Sequence, residues 1–242
     1  MTISEKQDYK SSDEAIFGHD DSLFTLYLYL ERLPPSLEAR TKDVCPTIHT
    51  PTGLTLLDDD ADAPFTENEC VAILYDACSA VAYLKERGCF HNNIQPAHIS
   101  YSPERGAVLL GFNKATTADD PRFVGSSTWV TPPESLRISL GSAAGDVWRL
   151  GVTMLYVQGK ISDREEFVLA GPIRNPEHAL DELHEFYKRW PAAVADIRSA
   201  SDGTRTVECL VHAMLDPNPD TRIEARTVEM PLRLHRGKDS HD

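Results

Sequence analysis

No apolar run in this sequence approaches the roughly 20 residues that a membrane-spanning helix needs. The opening stretch, Met1 to Glu14, is polar and charged, without the apolar centre of a targeting peptide. Cysteine is sparse: Cys45, Cys70, Cys78, Cys89 and Cys209 are odd in number and scattered, which argues against a disulfide framework and fits free thiols in a reducing compartment. An intracellular chain, cytoplasmic or nuclear, is therefore expected. Positive charge is short as well. With 24 Lys and Arg against 38 Asp and Glu, the formal net charge is -14, which disfavours a phosphate backbone or an anionic membrane as partner. What is present is an ordinary globular composition: 242 residues, 41% hydrophobic and 26% charged, enough for one sizeable core.

Residues 1–14 read as a disordered leader and 235–242 as a flexible tail, with one domain over 15–234. Ser22 to Glu31 (SLFTLYLYLE) alternates Leu26, Leu28 and Leu30 and predicts a strand. The turn signal Gly18 to Asp21, behind Ala15, Ile16 and Phe17, leaves room for one short antiparallel partner. Residues 42–64 hold Pro46, Pro51, Gly53 and the run Asp58, Asp59, Asp60, and read as an acidic loop or a locally disordered insert. The Asp run lacks the spacing and glycine of a calcium loop. Thr66 followed by Glu69 predicts a capping box opening a helix whose Val71, Leu74, Cys78 and Val81 share a face, with Gly88 closing it. Residues 94–112 look irregular until a short strand at Ala107 to Leu110. A mostly apolar helix is predicted over Val147 to Val157, ending at Gly159, with further amphipathic helices over Pro176 to Trp190 and Thr204 to Leu215. The class is mainly α with a few strands.

Three islands then stand in order: His91 to Ile99 (HNNIQPAHI), Gly111 to Asn113 (GFN), and Pro133-Glu134 followed by Asp146 to Gly151 (DVWRLG). Together they resemble the protein kinase family: the catalytic loop His-Arg-Asp-Leu-Lys-Pro-x-Asn, the Asp-Phe-Gly magnesium motif, and the end of the activation segment with the helix that anchors the lower lobe. Asp216-Pro217 with Arg222 resembles the family's closing motif, and Trp129 to Glu134 (WVTPPE) is similar to fungal serine/threonine kinase-like proteins. The resemblance implies a kinase-like carboxy-terminal lobe from about residue 32, preceded by a residual strand or hairpin and a vestigial hinge at Leu30 and Glu31. Only Gly18 is a glycine among the first 30 residues, so most of the upper lobe, with its glycine-rich loop and strand lysine, is expected to be missing.

The resemblance also implies roles that these residues cannot fill. Asn93 stands where the base Asp belongs, and an amide lacks the basic oxygen, which forfeits a general-base contribution of roughly 10² to 10⁴. Gln95 replaces the catalytic-loop Lys. His98 replaces a metal-binding Asn, a poor match for a hard cation that prefers oxygen. Gly111 replaces the magnesium carboxylate and is followed by Phe112 and Asn113. Ser100 replaces an aliphatic residue under the adenine. By contrast, His91, Phe112, Asp146 and the pair Glu134 and Arg222 match structural positions.

A pseudokinase is therefore expected, with no catalytic residue intact, no bound metal, and neither ATP nor magnesium as cofactor. Cys89, His91 and His98 fit no zinc template. Thr116, Thr117, Ser126, Ser127 and Thr128 read as polar loop residues, and Trp129 and Trp148 as anchors. The expected role is that of an interaction or regulatory scaffold whose exposed upper face, beneath Leu30 and around Ile99 and Leu109, takes a protein or peptide partner. Two alternatives stand beside it: a divergent serine/threonine kinase or ATP-binding protein completed by another chain's upper lobe, and the truncated product of a decayed gene.

Overall fold

The computed structural model describes residues 16–20, 25–29, 31–44, 47–49, 55–57, 64–122, 130–136, 140–160 and 206–236. The chain divides into two compact units, residues 1–34 and 35–242. In the first, β1 (Ile16–Asp20) pairs antiparallel with β2 (Thr25–Tyr29), Ile16 opposite Tyr29 and Asp20 opposite Thr25. The pairing runs through Gly18, His19 and Asp20, residues that the sequence pattern assigned to a turn. A ladder is made by backbone groups, so a glycine weakens it without ending it.

The second unit is mainly helical with short two-stranded pairings. It opens with α1 (Leu37–Val44), where the Ser36 hydroxyl accepts the Ala39 N–H at 3.2 Å and Leu37 is buried. Within residues 42–64, predicted as a loop or disordered insert, the structure instead places the end of α1 and a hairpin of β3 (Thr47–His49) with β4 (Thr55–Leu57). Two strands of three residues are too short to show a period, and the surrounding Pro, Gly and Asp dominate the reading. The run Asp58 to Asp60 lies outside the described residues, as do the leader, residues 237–242 and the helix predicted over Pro176 to Trp190, while residues 235 and 236, predicted as the start of a flexible tail, continue the last helix.

The predicted capped helix is α2 (Glu67–Glu86). Glu69 N–H donates to the Thr66 hydroxyl at 3.3 Å and Thr66 N–H donates to the Glu69 carboxylate at 2.9 Å. Its inner face, Cys70, Ile73, Leu74, Ala77, Cys78, Val81 and Ala82, is buried at three- and four-residue spacing. Gly88, at φ +64°, takes the left-handed closing position that a side chain would strain. There follow β5 (Cys89–Phe90), a 3₁₀ turn Pro96–His98, and the hairpin β6 (Ile99–Ser102) with β7 (Gly106–Leu109). A second 3₁₀ turn, Phe112–Lys114, leads into β8 (Thr116–Thr117), which returns to pair with β5.

The centre of the lobe is α3 (Ala143–Val157), buried at every residue from Gly145 onward. It begins four residues before the predicted Val147 because the Ser142 hydroxyl accepts the Gly145 N–H at 2.9 Å, a capping signal without apolar periodicity. α4 (Thr206–Met214) packs on α3 and buries Val207, Val211 and Met214. α5 (Ala225–Arg236) packs on α2 through Ala225, Val228 and Leu232, an element that Pro231 hid from sequence reading. The core thus joins α2, α3, α4 and α5 beneath the loop 91–95. No described helix is long and apolar enough to cross a membrane.

Candidate functional site

Asp146, in the first turn of α3, is buried at 1% exposure, and its carboxylate accepts His91 N–H at 2.6 Å and Asn92 N–H at 2.8 Å. This clamps the loop 91–95 to the central helix. Burial raises the Asp146 carboxyl from its ordinary value, against the pull of Arg149 and the two N–H donors. Arg149 Nη1 lies 3.5 Å from Asp146 Oδ1 and is itself fully buried, so a charge pair sits under the loop. The sequence pattern marks Arg149 only as the exception on an apolar helix. Its position three residues after Asp146 was the available signal.

His91 is fully buried. Its Nε2 lies 2.7 Å from the Leu110 carbonyl, and its Nδ1 accepts Asn93 N–H at 3.2 Å, an arrangement that requires the neutral ring with its proton on Nε2. Burial pushes its pKa down to about 4, which keeps it uncharged at neutral pH. Phe112 meets His91 edge to face with ring centroids 4.6 Å apart, yet remains 48% exposed on its other side. Both are framework groups of the loop.

The remaining predicted positions converge. Asn93, only 6% exposed, lies 3.5 Å through Nδ2 from Asn113 Oδ1, and its carbonyl receives His98 Nδ1–H at 2.7 Å. Gln95 Nε2 lies 3.3 Å from the same His98 nitrogen. Gly111 adopts φ +76°, and a Cβ built there would fall 2.6 Å from His98 Cγ. Residues 93, 95, 98, 111 and 113 therefore form one cluster of amides, an imidazole and a glycine, without a carboxylate or an ammonium. Among the described residues, no three His, Cys, Asp or Glu side chains are grouped to hold a metal ion.

Asn92 was not singled out from the sequence and proves to be a hub. It is fully buried at φ +60°, and its amide Nδ2 lies 2.8 Å from Thr116 Oγ1, 3.2 Å from the Lys114 carbonyl and 3.4 Å from the Phe90 carbonyl. Asparagine tolerates the left-handed region better than most residues, which was the only sequence signal. Farther off, Arg222 forms a bidentate pair with Glu134 at 2.7 and 2.9 Å, its side chain fully buried. Glu31 is exposed in irregular chain, while Leu30, Ser126, Ser127, Thr128 and Trp129 lie outside the described residues. Trp148 is buried.

One expectation for the upper face changes. Ile99 is fully buried and Leu109 half-buried, because the β6–β7 hairpin packs Ile99 into the core, and Ala107 N–H is held by Asp76 of α2 at 2.9 Å. Ser100, expected on the floor of a nucleotide site, is buried at 1% exposure on β6, where it bridges Ser36.

Residues 48–230 match the model of the protein kinase domain. Over 97 residues, the chain is 35% identical to a probable serine/threonine-protein kinase of Dictyostelium discoideum, covering 38% of this chain and 19% of that protein. It is 30% identical over 110 residues to MAP kinase-activated protein kinase 2 of Drosophila melanogaster, covering 42% of this chain and 30% of that one. Similarity to the serine/threonine-protein kinase PknB of Mycolicibacterium smegmatis is 24% over 198 residues, or 77% of this chain and 29% of the relative. The chain thus spans less than a third of the length of these three relatives.

Proposed function

Since the chain belongs to the protein kinase family, we propose that it is a catalytically inactive member, a pseudokinase module whose helical lobe acts as a protein-interaction or regulatory scaffold. One observation carries this reading: the loop clamp is intact beside a cluster, at residues 93, 95, 98, 111 and 113, that holds neither a carboxylate nor an ammonium. Phosphoryl transfer needs a positioned base, a cation on the phosphates and carboxylates to hold the metal. At those places stand Asn93, Gln95, His98 and Gly111, with His98 Nδ1 committed to the Asn93 carbonyl. These residues do not fit a magnesium nucleotide, because they offer a hard dication no carboxylate, His98 presents nitrogen, Gly111 has no side chain, and a neutral amide does not take a proton from an alcohol. Meanwhile Asp146 still holds His91 and Asn92, and Arg222 still pairs with Glu134. The stretch WVTPPE supports a place beside fungal serine/threonine kinase-like proteins.

Phe112, half exposed beside half-buried Leu109, is the apolar element offered to a protein or peptide partner on the upper face. A thermal-shift titration with ATP and magnesium tests the catalytic half. Ligand at about 100 times its dissociation constant would add about 2.7 kcal/mol of stability. No shift is expected, and a saturable one would return the chain to the nucleotide-binding kinases, including one completed by a separate upper lobe. For the scaffold half, a Phe112→Asp variant that captures the same partners as the wild-type chain would sink the assignment of that face.

A further inference from the structure

We propose that His98 is the residue that decides what this cluster excludes: its imidazole lies over Gly111 and occupies the space a carboxylate side chain at position 111 would need. The two positions are therefore interdependent in shutting out a divalent cation. The inference rests on the pseudokinase reading and deepens it, from ligands that are absent to a place that is filled.

The packing is tight and face-on. A Cβ at position 111 would lie 2.6 Å from His98 Cγ, 2.7 Å from Cδ2 and 2.8 Å from Nδ1, nearly equal distances that put it over the ring and not at a flexible tip. Neither partner can retreat. The ring is held by its Nδ1–H bond to the Asn93 carbonyl at 2.7 Å. The His98 backbone is fixed by its own N–H to the Gln95 carbonyl at 2.8 Å, and its carbonyl accepts Leu110 N–H at 2.8 Å. That last bond ties the residue before Gly111 to His98 itself, so the two backbones keep their separation while the side chains compete for the space between them.

Backbone conformation alone does not forbid a carboxylate there. At φ +76° most side chains are strained, but Asp and Asn are among the residues that enter the left-handed region most readily. The ring is the obstacle. Putting Asp at position 111 beside His98 adds a carboxylate that must displace the ring and break its bond to Asn93. With Ala at position 98 the three ring atoms that a Cβ at position 111 would meet are all gone, so the same carboxylate has room and offers the oxygen ligand that hard cations take.

The experiment compares the wild-type full chain with Gly111→Asp, His98→Ala and the double variant, titrating each with Mn²⁺ alone and reading free Mn²⁺ by electron paramagnetic resonance. Relative to the wild type, the double variant should bind about tenfold or more tightly, and each single variant should show no gain. A Gly111→Asp variant that binds Mn²⁺ as well as the double variant would show that His98 is no obstacle and overturn the proposal. Urea midpoints give the second readout: Gly111→Asp should shift the folding equilibrium by about tenfold more in the wild-type background than in the His98→Ala background. If Gly111→Asp does not fold, recovery of folding in the double variant carries the same information, and equal loss in both backgrounds overturns the idea. Failure of the parent reading looks different. It would appear as magnesium nucleotide binding or peptide phosphorylation by the wild-type chain, whatever the variants do.

Discussion

Replacing Arg222 by Met removes one end of the bidentate pair that ties the 3₁₀ turn Pro133–Leu136 to the loop before α5. The lost contacts are the two bonds to Glu134 at 2.7 and 2.9 Å, the bond to the Ala144 carbonyl at 2.7 Å, the bond to the Asp216 carbonyl at 2.8 Å, and the guanidinium 5.1 Å from the Trp148 ring. Glu134, with its side chain only 20% exposed, is left as a largely buried unpaired carboxylate. Breaking such a pair from one side costs about 3 to 5 kcal/mol, because the survivor keeps its desolvation penalty and loses its attraction. Glu134→Gln keeps an acceptor oxygen for Arg222 but leaves the fully buried guanidinium without its counter-charge, so it should destabilise as well. The double variant Arg222→Met with Glu134→Leu strands no charge and should cost less than Arg222→Met alone. Urea unfolding at neutral pH reads all three. With a slope of about 2 to 3 kcal/mol per M, Arg222→Met should lower the midpoint by about 1 to 2 M. A shift below about 0.3 M, or a double variant that loses as much as Arg222→Met alone, would refute the assignment of this pair as a buried brace.

Acid should weaken the fold through His91. Its folded pKa is depressed to about 4 from an ordinary 6.5, so below pH 6.5 the unfolded chain takes up a proton that the native chain refuses. The stability it contributes is fully present above pH 6.5, and about 3 kcal/mol of it is lost as pH falls to 4. The pH profile of the urea midpoint for His91→Gln, compared with wild type, should be flatter over that window; parallel profiles would contradict the neutral buried ring. Thr66→Ala should cost about 1 kcal/mol by uncapping α2. Its partner Glu69 is pushed up by burial, but the Thr66 N–H, Arg40 and the Thr66 hydroxyl outweigh this and hold the carboxyl below its ordinary value. The stability from Glu69 is therefore present above about pH 4.5 and fades as pH falls further, so the gap between Thr66→Ala and wild type should narrow in acid; an unchanged gap would speak against the capping box.

Much of this protein was legible locally. The capping box at Thr66 and Glu69, the three-and-four spacing along α2, and the apolar length of α3 are signals carried by neighbouring residues, and the structure follows them. The motif islands around His91, Gly111 and Asp146 likewise marked the cluster, because their order and spacing match the pattern of a known family. Signals fail where an element is short or carries a breaker. The three-residue strands β3 and β4 show no period, and α5 forms around Pro231 because Ala225, Val228 and Leu232 have the face of α2 to cover.

By itself the sequence determined composition, the order of the motifs, the main helices among the described residues, and the absence of a carboxylate from residues 91–99 and 111–113. Only the tertiary structure decided that Arg149 pairs beneath Asp146, that Asn92 gathers the chain at Phe90, Lys114 and Thr116, that Ile99 and Ser100 turn inward, and that His98 fills the space over Gly111. The reason is physical. Local propensity and capping are energies between neighbours along the chain, whereas a buried charge pair or a ring seated on a glycine exists only once folding has brought distant residues within contact distance and excluded water from between them.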